Sequence, residues 1–518
     1  MQFTQGLHRA LQQRPDTIAT ICGERKTSFR QLQDRVARLA GALRKLGVRD
    51  GDRVAMLGFN SDHYLAYYLA VPWAGAVVNP VNFRWSLDEI IYSLNDSESV
   101  AIFLDDSFAK HADALLDGCP FLRFVIFCGD GQCPDDLLDL ETLIAGAEPI
   151  ADSGVGDDET FGVFYTGGTT GAPKGVLLSH RNISSAALAL MAEGPFPDGS
   201  IGLHAAPMFH LADMMMSTCL LLRGGTHVML PGFRPDIALD IISKHRISEL
   251  LLVPAMLQAL VDYPDIGRHD LSAVKHLLYG ASPASEALLD RAMKAIPGAG
   301  FFQVYGMTEL AATATTLPPS QHGVEGRIAG RLRSAGRAFC HLQVRVVDTE
   351  DVELPRGQVG EIVVRGPNVM QGYLNKPEAT EAALRGGWMH TGDMGYMDDE
   401  GYVFVVDRLK DMIISGGENV YCAEVENAVA RHPAVAACAV IGIPSEEWGE
   451  AVHATVVLHN GGELSQEALY AHCKQLIAGY KCPRSMEVRD SLPISGAGKV
   501  LKTELRKPFW EGRERAVN

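Results

Sequence analysis

The string YTGGTTGAPKG, Tyr165 to Gly175, opens on the last residue of an apolar run, Phe161 to Tyr165, that reads as a strand. Glycines at 167, 168 and 171 let backbone amides approach and curve around phosphate oxygens. Thr166, Thr169 and Thr170 add hydroxyl donors, and Lys174 adds a positive charge. Such a loop suits a polyphosphate. A Walker A loop needs GxxxxGK followed by Ser or Thr, whereas here Ala172 and Pro173 separate Gly171 from Lys174, so a Walker-type NTPase is disfavoured. Read alone, a glycine- and threonine-rich stretch after a strand is also an ordinary turn.

The sequence on either side has the rhythm of a layered α/β domain. Ser28 to Gln31 forms a capping box, and Leu32, Val36, Leu39, Leu43 and Leu46 recur at helical spacing until Gly47. Short apolar runs at Val54 to Leu57, Ala76 to Asn79, Val100 to Leu104 and Phe124 to Cys128 read as strands with helices between them. After the loop, Thr226 to Leu230, Glu249 to Val253 and Lys275 to Tyr279 continue the alternation. The charged segment Asp407 to Asp411 is the expected boundary, with a large domain over 1–407 and a small α+β domain over 408–518. In the small domain, Ala436 to Ile443 and Ala454 to Leu458 read as strands and Ser465 to Ile477 as a helix.

Composition limits the partners. With 518 residues the chain is too long for one ordinary core. Its 46 basic and 63 acidic side chains leave a net charge of -17, which argues against duplex nucleic acid or an anionic membrane as partner. Anionic substrates must be met by local positive sites. Ten scattered cysteines without a CxxC pair suit a reducing compartment. The start, MQFTQGLHRALQQRPD, lacks a signal-peptide apolar core, and no uncharged run is long enough to span a bilayer, so a cytoplasmic protein is expected.

Further motifs stand in order along nearly the whole chain: PMFH at 207–210, YGAS at 279–282, QVYGMTE at 303–309, HTGD at 390–393, DRLKDMIISGGENVYCAEVE at 407–426 and ISGAGKVLK at 494–502. With the glycine-rich loop, they resemble the adenylate-forming superfamily of acyl-CoA synthetases, coumarate–CoA ligases, firefly-type luciferases and peptide-synthetase adenylation domains. The resemblance implies a large layered α/β domain with a small β-barrel-like part and a mobile small domain. It also implies an AMP-forming acid–thiol ligase that uses ATP, Mg2+ and coenzyme A.

Residue by residue, the resemblance assigns Tyr305 to adenine stacking, Thr308 to phosphate, Glu309 to magnesium, Asp393 to both ribose hydroxyls and Arg408 to the ribose as well. Ala281 joins the nucleotide site. His210 is placed beside the reacting carboxylate, with Met214, Tyr279, Gly280, Val304 and Gly306 around the acyl group. Lys499 neutralises charge during adenylation, and Lys410 is the hinge about which the small domain turns between the two half-reactions. Gly416 and Gly417 would border the pantetheine tunnel, and Trp448, Tyr480, Lys481 and Arg484 the CoA nucleotide. Two positions depart from the family pattern, Gly167 for a serine and Ala497 for a threonine, and neither removes a charge.

Delivery of the acyl-adenylate to a carrier protein, luciferase-like oxidation and a catalytically dead nucleotide-binding protein are the competing readings. The charged positions Lys174, Glu309, Asp393, Arg408 and Lys499 are all present, which disfavours the last. The expected acid is a medium- or long-chain fatty acid, with benzoate- or cinnamate-type aryl acids as the alternative, and a homodimer is left open.

Overall fold

Two large sheets sandwich a double layer of helices in the computed structural model, which describes residues 1–166, 173–408, 411–416, 418–445, 447–459, 461–494 and 500–511, with the side chain of Arg408 outside the description. Gly167, Gly168, Thr169, Thr170, Gly171, Lys410, Gly417, Ala497 and Lys499 therefore lie outside the described residues. One sheet has nine strands, and its parallel centre joins Gly300–Tyr305, His276–Gly280, Glu249–Leu252, Ile201–His204, Thr226–Met229 and Ile18–Cys22. The other has eight, with Val77–Pro80, Arg53–Leu57, Ala101–Leu104 and Phe124–Phe127 parallel and the hairpin Thr160–Thr166/Lys174–Ser179 at one side.

Helix His180–Ala192 packs on the eight-stranded sheet and helix Leu211–Arg223 on the nine-stranded one, and the two helices pack on each other. Helix Asp62–Trp73 touches strands of both sheets and is buried at every position. A helix covered on both sides needs no polar face, which is why LAYYLAVPW runs without amphipathic alternation. By contrast Phe29–Lys45 keeps a charged outer face, and its expected capping box between Ser28 and Gln31 is formed.

The barrel-like part is a four-stranded antiparallel sheet, Gln343–Val347, Gly360–Arg365, Met389–Met397 and Val403–Arg408. The small domain builds a five-stranded sheet on its own apolar cluster around Ile413, Val425, Val440, Val452 and Leu469. Its order is richer than expected from sequence. Ile413–Ser415 and Glu418–Val420 form a hairpin before the first helix, and Ser485–Val488 adds a strand parallel to Gly449–Leu458. None of these three short strands has the long apolar run that marks the pair Val435–Ser445 and Gly449–Leu458.

Candidate active site

Among the described site residues, Gly280, Ala281, Tyr305, Gly306 and His210 lie where chain segments leave the carboxyl ends of parallel strands, the place where open α/β sheets leave a crevice. Strand His276–Gly280 ends at Gly280 and Ala281, strand Gly300–Tyr305 at Tyr305 and Gly306, and strand Ile201–His204 leads through Pro207 to His210. Backbone strain concentrates here. Ala281 (φ 65°), Ala311 (φ 46°) and Ala312 (φ 69°) hold left-handed conformations that cost an L-residue about 1 kcal/mol or more. A side chain on Gly306 would place its Cβ 2.3 Å from the Ala312 carbonyl oxygen, and one on Gly280 would stand 2.0 Å from that of Val304. These glycines allow two backbones to pass each other.

Tyr305 and Asp393 meet directly. The Tyr305 hydroxyl donates to Asp393 Oδ2 at 2.7 Å, although 88 residues separate them. Asp393 is buried in the strand Met389–Met397, opposite Arg408 in the neighbouring strand. The turn that presents it is pinned at several points. Gly392 N–H donates to Glu361 Oε1 at 2.9 Å, His390 Nδ1 lies 2.8 Å from Glu361 Oε2, and Asp393 N–H donates to Thr391 Oγ1 at 3.1 Å.

Glu309 is also buried, in the single turn Thr308–Leu310, and Oε1 accepts the Tyr373 hydroxyl at 2.8 Å. Burial, and then the neighbouring Glu309, push the Tyr373 phenol well above its usual range, so it stays protonated and donates. The Lys174 ammonium sits 4.8 Å from the centre of the same ring. Asn368, fully buried, donates to the carbonyls of Leu310 at 2.8 Å and Thr313 at 2.7 Å, closing the loop after QVYGMTE. The carboxylate of Glu309 is a hard oxygen donor held in place by Tyr373, which fits Mg2+.

Around the expected acyl pocket the residues divide. His210 is half-buried and stands at the residue just before helix Leu211–Arg223, next to a run of rings: His210 to Phe209 5.8 Å, Phe209 to Phe83 5.2 Å, Phe83 to Phe59 4.8 Å between centroids. Val304 is half-buried nearby on its strand. Met214 and Tyr279 depart from the sequence expectation, since both are packed into the core at 0% and 2% exposure. Met214 lies in helix Leu211–Arg223, packed between the nine-stranded sheet and helix His180–Ala192. The Tyr279 hydroxyl is taken by His322 Nε2 at 2.9 Å. Burial lowers His322 to about 4, so it is neutral, with Nδ1–H on the Pro318 carbonyl and Nε2 accepting.

In the small domain, Gly416 (φ 63°) runs under Trp448. Its N–H donates to the Trp448 carbonyl at 2.8 Å, and a Cβ would fall 2.8 Å from the indole. Arg484 lies 5.4 Å above the same indole. Lys481 departs from this group because its ammonium is paired with Glu424 at 2.7 Å, and Tyr480 points outward at 39% exposure.

Sequence reasoning missed four residues. Asn60, 2% exposed, donates to the carbonyls of His204 and Ala206 at 2.9 and 2.8 Å and accepts from Met208 N–H at 2.7 Å. It clamps the segment that carries His210. Tyr373, Glu361 and Asn368 support Glu309, the HTGD turn and the loop beyond Glu309 in the same manner. Asn60 lies beside the apolar run Val54 to Leu57, whereas Glu361, Asn368 and Tyr373 fall outside every motif read from the sequence, and the partners of all four are distant, so spacing alone carries no signal for them.

Known proteins resemble this chain over nearly its whole length. Residues 7–374 match the AMP-binding enzyme family, and residues 424–499 match the AMP-binding enzyme C-terminal domain. A feruloyl-CoA synthase from an Amycolatopsis species is 40% identical, covering 96% of each chain. The medium/long-chain-fatty-acid–CoA ligase FadD8 of Mycobacterium tuberculosis is 35% identical, over 98% of this chain and 90% of that one. Among solved structures, ATP-bound MatB from Rhodopseudomonas palustris superposes with a TM-score of 0.88 at 31% identity, over 98% of this chain and 99% of the other.

Proposed function

The chain belongs to the AMP-binding enzyme family, and from that premise we propose that it is an ATP-dependent carboxylic acid–CoA ligase acting through an acyl-adenylate. The observation that carries the reading is the meeting of Tyr305 with Asp393, and of Tyr373 with Glu309, at the ends of the parallel strands. One short segment, 305–309, thereby holds an aromatic ring, a hydroxyl and a carboxylate beside a second carboxylate. That set suits adenine, phosphate, a divalent cation and a ribose diol respectively.

In the first step a carboxylate oxygen of the acid attacks the α-phosphorus of ATP, the P–O bond to the β-phosphate breaks, and pyrophosphate leaves. Tyr305 and Asp393 hold the nucleoside, Thr308 meets the α-phosphate, and the loop with Lys174 cradles the outgoing phosphates. Glu309 would hold Mg2+, which when bound neutralises charge on the triphosphate. Lys499 offsets the two anions as they meet, and His210 faces the acid. In the second step the CoA thiolate sulfur attacks the acyl carbon and AMP leaves with the bonding pair. We assign residues 1–407 to adenylation and 408–518 to a small domain that turns about Lys410 between the steps. Gly416, Trp448 and Arg484 then border the CoA path. Among the described residues no helix is long and apolar enough to cross a membrane. The ten free thiols suit the reducing, cytoplasmic setting we propose.

For the acid, we favour an aryl substrate of the cinnamate type. The rings of Phe209, Phe83 and Phe59 beside His210 offer edge and face contacts to an aromatic acid. Likeness to a feruloyl-CoA synthase points the same way. The fatty-acid reading rests on likeness to a medium/long-chain-fatty-acid ligase. CoA-dependent AMP release with ATP and Mg2+ across cinnamic, benzoic and C8 to C16 acids decides between them. AMP and aryl-CoA appearing together is the expected result. Turnover confined to fatty acids overturns the aryl reading, and pyrophosphate without CoA consumption overturns the ligase.

A further inference from the structure

Lys174 and Glu309 carry opposite charges at one site, yet the ring of Tyr373 touches both. The ammonium lies 4.8 Å from the ring centre, and the hydroxyl at the far end of the ring donates to Glu309 Oε1 at 2.8 Å. Backbone register fixes the arrangement. Lys174 stands opposite Thr166 in the hairpin, and Tyr373 stands opposite Val176, two residues further on the same strand and so on the same face as Lys174. Two further contacts hold the short strand: Leu374 N–H donates to the Gly175 carbonyl at 2.8 Å, and Tyr373 N–H to Thr380 Oγ1 at 2.9 Å.

We propose that Tyr373 is a spacer: it keeps the phosphate-loop lysine on its ring face and from pairing with Glu309, so that the ammonium remains available to the nucleotide. A cation on the face of an aromatic ring is held more loosely than one on a partly buried carboxylate. Lys174 is thereby kept in position without being neutralised. The hydroxyl meanwhile occupies one oxygen of Glu309 and fixes its orientation. A direct Lys174–Glu309 pair would have to be broken before a triphosphate could enter. Tyr373 is a positioning residue in this scheme, and the inference rests on the proposed nucleotide site.

The test is calorimetric binding of ATP, and of AMP as control, to the full-length protein in EDTA, for Tyr373→Phe, Tyr373→Leu and Tyr373→Leu/Glu309→Gln. Tyr373→Phe keeps the ring, and its ATP affinity stays within about twofold of the parent. Tyr373→Leu removes the ring and weakens ATP about tenfold, the scale of a desolvated cation–ring contact exchanged for an ion pair. Adding Glu309→Gln removes the competing charge and restores most of that loss. AMP, which lacks the outer phosphates, binds all three alike. Equal losses in Tyr373→Phe and Tyr373→Leu, no recovery in the double variant, or a parallel loss of AMP binding overturn the spacer. A parent protein that binds neither ATP nor AMP overturns the nucleotide site itself. Should Tyr373→Leu not fold, Tyr373→Met, which also lacks a ring, replaces it with the same expectation.

Discussion

His204 and Tyr373 each bridge two polar partners, but at opposite ends of the burial scale. His204 holds Asp213 Oδ2 at 2.7 Å through Nδ1 and His227 Nδ1 at 2.9 Å through Nε2, and all three residues are fully buried between the nine-stranded sheet and helix Leu211–Arg223. Burial raises the Asp213 carboxyl, opposed by His204, and lowers His227 well below its usual range. Tyr373 is half-buried, and its two partners lie in the phosphate loop and in the QVYGMTE stretch. A polar chain sealed by packing on every side can only stabilise the fold. One that ends at a crevice can exchange its partners for a ligand.

This contrast predicts different readouts for the two regions. The largest effect belongs to the crevice. Lys499→Ala lowers acyl-adenylate formation about 100- to 1,000-fold, on the scale of one lost electrostatic stabiliser. ATP binding and melting temperature stay at parent values, as measured by pyrophosphate exchange, calorimetry and thermal unfolding. Unchanged exchange removes Lys499 from the chemistry. Next, Asp393→Ala removes the carboxylate proposed to hold the ribose and raises the KM for ATP roughly 30-fold or more, with little change in unfolding.

The sealed chain behaves in the opposite sense. Asp213→Ala leaves His204 without its acceptor in a dry interior and costs about 2–3 kcal/mol in urea unfolding. The fraction that folds keeps both KM values. A selective rise in the KM for the acid would break the comparison and make the relay part of the site. The smallest effect is expected at Glu361→Gln. The amide has one acceptor oxygen where the carboxylate serves both Gly392 N–H and His390. Loosening the turn under Asp393 raises the KM for ATP roughly fivefold, the worth of one hydrogen bond.

Much of the layered architecture was legible because strands covered by helices read as apolar runs, and Ser28 announced its helix by a cap. Eight strand readings in the two large sheets match to within a residue or two, while Ile18–Cys22, Lys174–Ser179, Ile201–His204 and Gly300–Tyr305 carry no such reading. Gly416–Trp448 and Tyr305–Asp393 join motifs that sequence could name but not bring together. Met214 and Tyr279 show where motif context misleads. Both lie beside pocket-forming stretches, yet a helix covered on two sides and a hydroxyl bonded to neutral His322 direct them into the core.

The sequence by itself supplied the motifs whose resemblance names the chemistry class, with glycines where phosphates need backbone and carboxylates and lysines at recognisable positions, and the apolar periods that build an α/β frame. Those are local properties, carried by residue type and spacing. Which groups face the crevice, which are sealed, and which hold the others in place depended on the packed molecule. Asn60, Glu361, Asn368 and Tyr373 act through hydrogen bonds to segments between 29 and 148 residues away, distances that no local pattern encodes and that strand register and layer packing set.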